Sequence, residues 1–469
     1  MSAALSWDLV VIGAGSAGLV ASKTAAGFGA RVLLVERDRL GGDCLWTGCV
    51  PSKTLIAATN RTLESQSGES AFAAAMNSVV AAIAAIAPTD SRESLKLDNV
   101  SVRLGEAQFT SPRSLSIDGE AIGFRQAIVA TGSTPAIPAI DGLDGISVLT
   151  SNSFWDLPAL PRRLVIIGGG AVACELGQAM AKLGSVVSIV QHGSRLLPKE
   201  QTEASAIVRT ALEADGVRVL IGKSAARVYS TDGLSGELLL DDETVIGFDR
   251  ILIAAGRRPR TDSLQLPIAG VRVDASGYIN IDDSLRTTNP RIWSAGDVTG
   301  LPQFTHLAGV NGSIAATNAV LGLRRRIDRR AVPRVTFTSP EVAAVGLQAS
   351  DCDVRLHRVI TIDHRHCDRA IAESRTAGFT QIVVARNGRM LGGTIVGPRA
   401  GETSGELSVA VKLGLSTSSV ASAIHPYPTF NDPLWLAAVQ DVRFRLNSGT
   451  LKAAVRLLRW IRSVTLSMC

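Results

Sequence analysis

The apolar positions of this chain fall in short unbroken runs, most of them closed by a glycine or another small residue. Asp8-Leu9-Val10-Val11-Ile12 predicts a strand buried on both faces. It is followed by the turn Gly13-x-Gly15-x-x-Gly18, a helix to about Gly29, and a strand from Arg31 to Val35 ending at Glu36. The order recurs with a strand from Leu164 to Ile167, Gly168-x-Gly170-x-x-Ala173, a helix to about Leu183, and a strand from Val186 to Val190 followed by Gln191. Three further runs end in small-residue turns: Ile128-Val129-Ala130-Thr131-Gly132, Ile251 to Arg257 through Gly256, and Ile292 to Asp297 through Gly296. Strands alternating with helices predict parallel sheets. From Leu451 to Val464, Leu451, Ala454, Val455, Leu458, Ile461 and Val464 repeat at helical spacing, with Lys452, Arg456 and Arg459 on another face.

Each strand-turn-helix-strand segment reads as a dinucleotide site. Its glycines allow a tight turn and close approach of a pyrophosphate, and the helix N-terminus attracts the phosphates. Glu36, 18 residues after Gly18, is placed for a ribose hydroxyl. In the second segment Gln191 holds the corresponding place, 18 residues after Ala173. A neutral residue there does not repel a 2′-phosphate, and His192 or Arg195 would attract one, which favours NADPH; the alternative is that both are solvated loop residues.

With 469 residues and 46% hydrophobic content, the chain has room for about three domains with proper cores. No signal peptide is expected, because the first strand begins at Trp7, and no apolar run is expected to reach the ~20 residues that span a bilayer, so the cytoplasm is the default location. Six cysteines are too few for a disulfide scaffold of this length. The net charge of +6 gathers at the end: from Asp441 onward there are six Lys and Arg against that one acid. The nearly neutral remainder argues against nucleic acid as a partner.

Cys44 and Cys49 lie in Gly41-Gly42-Asp43-Cys44-Leu45-Trp46-Thr47-Gly48-Cys49-Val50-Pro51-Ser52-Lys53, a short way after the first dinucleotide segment. Alone, such a spacing is as often structural or half of a metal site. Beside a bound cofactor it predicts a redox-active dithiol. A helical pattern from Ser52 onward would set both sulfurs near a helix N-terminus, where the dipole favours thiolate.

The two fingerprints, the thiol pair with Val50-Pro51-Ser52-Lys53, Ala130-Thr131-Gly132, Gly256-Arg257-x-Pro259 and Gly296-Asp297 together resemble the flavoprotein disulfide reductases over roughly residues 7–440. That family includes dihydrolipoamide dehydrogenase, glutathione reductase and mercuric reductase. The resemblance implies FAD at the first site, a nicotinamide nucleotide at the second, and a homodimer in which the partner's C-terminal domain completes each active site. It assigns Gly13, Gly15, Gly18 and Glu36 to the FAD adenosine and pyrophosphate, the Ala107 backbone to the adenine, and Thr131, Gly132 and Asp297 to the ribityl side. Gly168, Gly170, Ala173, Gln191 and Gly256 would serve the nicotinamide nucleotide, while Lys53 would lie beside the flavin and pair with Glu175. Cys49 would face the flavin and Cys44 would attack the acceptor.

Four features depart from the family pattern. In Ile424-His425-Pro426-Tyr427-Pro428-Thr429-Phe430-Asn431-Asp432, Tyr427 stands where dithiol-handling members carry a proton-shuttling histidine, and Asp432 replaces the glutamate that orients it. Tyrosine, with a pKa of about 10, is a poor base near pH 7. Mercuric reductase also carries tyrosine there, and Asp368 to Ser374 resembles that branch. Its vicinal cysteine pair near the C-terminus is missing, however, with Cys469 alone present. His425 reads either as a substitute base or as an interface hydrogen bonder. Both it and Tyr427 precede proline: a β-like stretch would point them the same way, a polyproline turn apart. Trp46 and Arg260 each replace a usual asparagine. His364-x-His366-Cys367 fits no standard metal spacing, the run Arg324 to Arg330 reads as a solvated connector, and Cys174 as a core residue.

The expected architecture is α/β, with an FAD-binding domain over residues 1–152 and 282–333 and an NAD(P)-binding domain over 153–281, both Rossmann-like. A C-terminal α+β dimerisation domain over 334–445 and a basic amphipathic tail over 446–469 follow. The expected activity is electron transfer from NAD(P)H through FAD and Cys44/Cys49 to a small-molecule or small-protein disulfide or thiol-reactive acceptor, as in mercuric reductase. The rivals are a dihydrolipoamide dehydrogenase-like enzyme, a flavin-level quinone reductase or transhydrogenase, and a thiol sensor without turnover. No resident metal is expected. The tail would dock on the body or lie on anionic lipid, with docking favoured.

Overall fold

The computed structural model describes residues 7–61 and 67–467, which form two compact units. Of the described residues, one unit comprises those from 7 to 194 together with 215–327, the other 195–214 together with 328–467.

In the first unit, strand Trp7–Ile12 lies between Val32–Glu36 and the second half of Glu120–Val129, parallel to both. Val100–Leu104 extends the sheet beyond Val32–Glu36, and Ile292–Ser294 joins the other side of the long strand. The first half of Glu120–Val129 instead turns back through Ser114–Ile117 to Ala107–Ser111, all antiparallel. The central strand is covered on both faces, which is why Leu9, Val10 and Val11 run without alternation and are all fully buried. Each such side chain is worth ~1.5–3 kcal/mol relative to exposure. Helix Ser16–Gly27 packs on Thr305–Leu321 through alanine and glycine; a Cβ on Gly312 would stand 2.2 Å from the Ala17 carbonyl oxygen. This close approach fixes the position of Thr305, the first residue of its helix.

The second sheet of this unit is wholly parallel, in the order Arg218–Ile221, Val186–Gln191, Arg163–Ile167, Arg250–Ile253, Leu149–Thr150. A two-stranded ribbon, Ser133–Pro135 against Arg257–Pro259, ties the region of one sheet to that of the other.

The second unit is built on a five-stranded antiparallel sheet in the order Pro333–Thr336, Glu341–Gly346, Met390–Gly397, Phe379–Ala385, His357–Asp363. Ala343, Val345, Ile382, Val384 and Ile395 pack against Leu407 of helix Ala400–Leu413 and Leu434 and Ala437 of helix Asp432–Leu446.

Two sequence expectations need correction. The segment Glu69–Leu97, containing helix Glu69–Ile86, is apolar and long enough to cross a membrane by length and composition, with mean hydropathy 1.8. Alanine supplies much of that hydropathy, and Phe72, Ala75 and Val79 are buried against the protein. The tail forms helix Gly449–Ser467, but it does not dock on the body: from Lys452 to Ser467 every side chain is exposed except Val464, which is half-buried. Cys469 lies outside the described residues.

Candidate active site

Cys49 is the first residue of helix Cys49–Thr59, three positions before the start expected at Ser52. Pro51 is tolerated because first-turn N–H groups have no intrahelical partner. Cys44 sits within its own short helix, Gly42–Trp46, so Cys49 alone holds the N-terminal place. Both are free thiols. Cys49 Sγ lies 3.3 Å from Thr305 Oγ1. A hydrogen bond from Cys44 lowers Cys49 to about 6, against the effect of burial and with help from Thr305 and Lys53. The same bond, with burial, pushes Cys44 far above an ordinary thiol. The reduced pair therefore shares one negative charge, carried by Cys49.

The loop around the thiols is held from several sides. Asp43 accepts hydrogen bonds from Arg257 Nη2 and, at 3.4 Å, from Arg260 Nη2. Trp155 Nε1 donates to the Thr47 carbonyl at 2.8 Å. Trp46 turns back on its own loop, donating to the Leu40 carbonyl at 2.7 Å beneath the Arg39 guanidinium.

The first dinucleotide cradle fits its cofactor. Gly13 has φ +101°, and a Cβ there would meet the Ala130 carbonyl oxygen at 2.5 Å; Gly168 has φ +117°, with Ala254 oxygen at 2.3 Å. Only glycine can make either turn. Gly15 and Gly170 are the N-caps of the two fingerprint helices; a Cβ on Gly170 would meet open space and one on Gly15 only the Gly42 Cα at 3.9 Å, which leaves both helix ends accessible to a pyrophosphate. The Glu36 carboxylate is fixed by the backbone N–H of Ala14 at 2.7 Å and of Asp38 at 2.9 Å, leaving lone pairs for ribose hydroxyls. Its own carbonyl accepts from Gly105, which lines a pocket with Arg37, Leu104, Glu106 and Asp118, and Ala107 begins the next strand. Asp297 accepts from Ser133 Oγ at 2.6 Å, and Ser133 in turn accepts from Arg257 Nε at 2.6 Å. Thr131 donates to the Arg260 carbonyl at 2.7 Å, beside Gly132.

Lys53 Nζ lies 2.8 Å from Glu175 Oε2, which joins the thiol-bearing helix to the helix of the second fingerprint, Ala171–Lys182. Ala173 is fully buried on that helix, as is Cys174. The buried Gln191 side chain lies against Gly169, and Gly256 turns the chain with φ +121° before Arg257. His192 is exposed. Arg195 donates to the carbonyls of Pro198 and Glu200, at 2.9 and 3.3 Å, so its guanidinium already has partners.

In the second unit, His425 and Tyr427 diverge. His425 Nε2 lies 2.9 Å from Glu406 Oε1 and Nδ1 lies 3.0 Å from the Ala423 carbonyl. Burial opposes its charge, yet Glu406 prevails and its pKa is raised. Tyr427 is exposed and bonds to Asp368 Oδ2, which raises its own pKa. Asp432 bonds to neither: it accepts from Thr429 N and Oγ1, both at 3.0 Å, at the start of its helix. His364 is buried against Thr380 Oγ1 at 3.0 Å, and Cys367 donates to the Thr429 carbonyl. Among the described residues no group of three His, Cys, Asp or Glu is arranged to hold a metal. Sequence reasoning missed Thr305 and Glu406, which lie 256 and 19 residues from their partners and carry no local motif.

A dithiol polarised toward the sulfur at a helix end, beside two dinucleotide cradles linked by an ion pair, defines a flavoprotein disulfide oxidoreductase. The chain belongs to the pyridine nucleotide-disulphide oxidoreductase family, matching it over residues 7–312 and its dimerisation domain over residues 332–438. It is 34% identical to the mercuric reductase of Lysinibacillus sphaericus over 452 residues, covering 92% of this chain and 82% of that one. It is likewise 34% identical to the dihydrolipoyl dehydrogenase of Thermus scotoductus over 458 residues, covering 92% and 96%. The HOCl-induced flavoprotein disulfide reductase RclA from Escherichia coli superposes with a TM-score of 0.84 at 27% identity, over 92% of this chain and 99% of that one. The protein is thus an enzyme using FAD and a pyridine nucleotide, and its dimerisation domain makes it a homodimer.

Proposed function

We propose that the enzyme consumes NAD(P)H, with NADPH preferred, and reduces a disulfide or thiol-reactive acceptor through Cys44 and Cys49, as its mercuric reductase relatives suggest. On this reading residues 1–152 and 282–333 hold FAD, 153–281 hold the nicotinamide nucleotide, and 334–445 form the dimer. Bound in the first cradle, FAD supplies the two-electron chemistry that links the nucleotide to the dithiol.

The observation that carries this reading is the asymmetry of the thiol pair. With a disulfide acceptor, Cys44 gives up its proton and attacks one acceptor sulfur, forming a mixed disulfide and releasing the first acceptor thiolate. Cys49 then attacks Cys44 Sγ, releasing the second thiolate and leaving Cys44–Cys49 oxidised. The protein dithiol has become a disulfide and the acceptor disulfide two thiols, so electrons balance; the Cys44 proton goes to one acceptor sulfur, and because Cys49 is already a thiolate the other acceptor sulfur takes its proton from solvent. Asp43, Arg257 and Arg260 hold the short helix that carries Cys44. NADPH rests on Gln191 and His192, since Arg195 is engaged with backbone carbonyls.

The His425–Glu406 pair favours a second reading, a dihydrolipoamide dehydrogenase-like enzyme, because a carboxylate-oriented imidazole can exchange the Cys44 proton. The test is an anaerobic titration of the FAD-loaded dimer with NADPH and with NADH, followed by turnover with Hg²⁺, small disulfides and dihydrolipoamide. The proposal expects a long-wavelength thiolate–flavin absorbance at lower NADPH than NADH, and turnover with Hg²⁺ or a disulfide. Dihydrolipoamide oxidation as the fastest reaction would establish the second reading instead.

A further inference from the structure

The family match ends at residue 438, and helix Gly449–Ser467 lies beyond it. Around that helix Lys452, Arg456 and Arg459 share one side with Ser463 and Ser467. Leu457, Leu458, Ile461 and Val464 lie opposite, and Trp460 stands at the border. The large apolar side chains stay in solvent: Leu458 is 65% exposed and Trp460 63%. No Asp or Glu stands between Asp441 and the end of this helix.

We infer that this helix binds the surface of an anionic lipid bilayer, lying in the interface with its apolar side toward the acyl chains and its cations among the headgroups. The charge pattern selects that occupant. Lys452, Arg456 and Arg459 gathered on one side, with no Asp or Glu in the helix, match anionic headgroups, and four cations in nineteen residues exclude a spanning arrangement. Anionic headgroups neutralise Lys452, Arg456 and Arg459 while the hydrocarbon boundary takes the leucines and isoleucine, and Trp460 sits where one edge is apolar and the other wet. The inference goes beyond the reductase activity and does not depend on which acceptor is reduced.

The test is sedimentation of the FAD-loaded full-length dimer with phosphatidylcholine vesicles, with and without phosphatidylglycerol. The full chain is expected to pellet with the anionic vesicles at low salt, and high salt should release it. Deletion of residues 447–469, or the double substitution Leu458→Asp and Ile461→Asp, should lower the bound fraction at least about tenfold. Arg456→Gln with Arg459→Gln should weaken binding to anionic vesicles while leaving the dimer and its flavin spectrum unchanged. Failure of the full chain to pellet overturns the inference, as does equal pelleting with neutral vesicles or by the deleted chain. A shift of the aspartate variant from dimer to monomer would also overturn it, because the helix would then belong to a subunit interface.

Discussion

The two thiols of the proposed chemistry differ in charge because of three neighbours, Cys44 and Lys53 from the motif that holds Cys49 and Thr305 from a distant helix. Cys49 receives a hydrogen bond from Cys44, stands near Thr305 and feels Lys53, and together these lower it to about 6 despite its burial. A lowered acid is ionised above its pKa and protonated below it. In the reduced enzyme the long-wavelength thiolate absorbance should therefore grow as pH rises through about 6 and be lost below that. Cys44→Ala removes the largest stabilising bond, so the midpoint should move to higher pH; a titration that leaves it in place would refute this account of the asymmetry. Cys44→Ser should lower disulfide or metal reduction by more than about a hundredfold while sparing direct flavin-level reduction of a quinone, which stopped-flow assays with each acceptor would separate. The thiols were legible in the sequence because their motif is contiguous. Thr305 was not, since a lone threonine carries no sign of what it will meet. Asp43 and Arg260 each looked like an isolated feature of its own motif, whereas the fold makes them partners.

At the scale of elements, the parallel strands could be read from their unbroken apolar runs, since burial on both faces removes polar alternation. Helix starts could not be read so closely: Cys49 opens its helix three residues before the pattern suggested. The antiparallel sheet of the second unit entered only through the resemblance, because Gly392 and Gly393 interrupt its central strand and periodicity does not identify the pairing. What fixes the helix Asp432–Leu446 on this sheet is a buried carboxylate. Asp441 is 1% exposed and accepts from Arg358 Nη2 at 2.6 Å, Arg445 Nε at 3.0 Å and Thr417 Oγ1 at 2.6 Å. Removing one member of a buried charge network leaves its partners uncompensated, at a cost of about 3–5 kcal/mol. Asp441→Ala should therefore lower stability by that amount in chemical denaturation. A loss below about 1 kcal/mol would mean that water replaces the carboxylate at little cost.

For the whole molecule, the question is which chains bring a thiol pair and a proton-handling loop together. The dithiol lies in the first unit and the His425–Glu406 and Tyr427–Asp368 pairs in the second. The family resemblance implies that each site takes its C-terminal loop from the other subunit of the dimer. That arrangement makes complementation possible. A Cys44→Ser chain lacks the attacking thiol but carries an intact loop, whereas a chain with His425→Ala and Tyr427→Phe has the reverse. Random reassortment of equal amounts, by reversible dissociation or co-expression, gives about half heterodimers. In each heterodimer one of the two symmetry-related sites combines a whole thiol pair with a whole loop. Turnover by the mixture should then reach about a quarter of the wild-type value, well above the mean of the two parents. If each subunit used its own loop, every site would retain one defect and the mixture would stay at that mean. Steady-state assays before and after reassortment, with dimer composition read by affinity tags of two kinds, would decide between these arrangements.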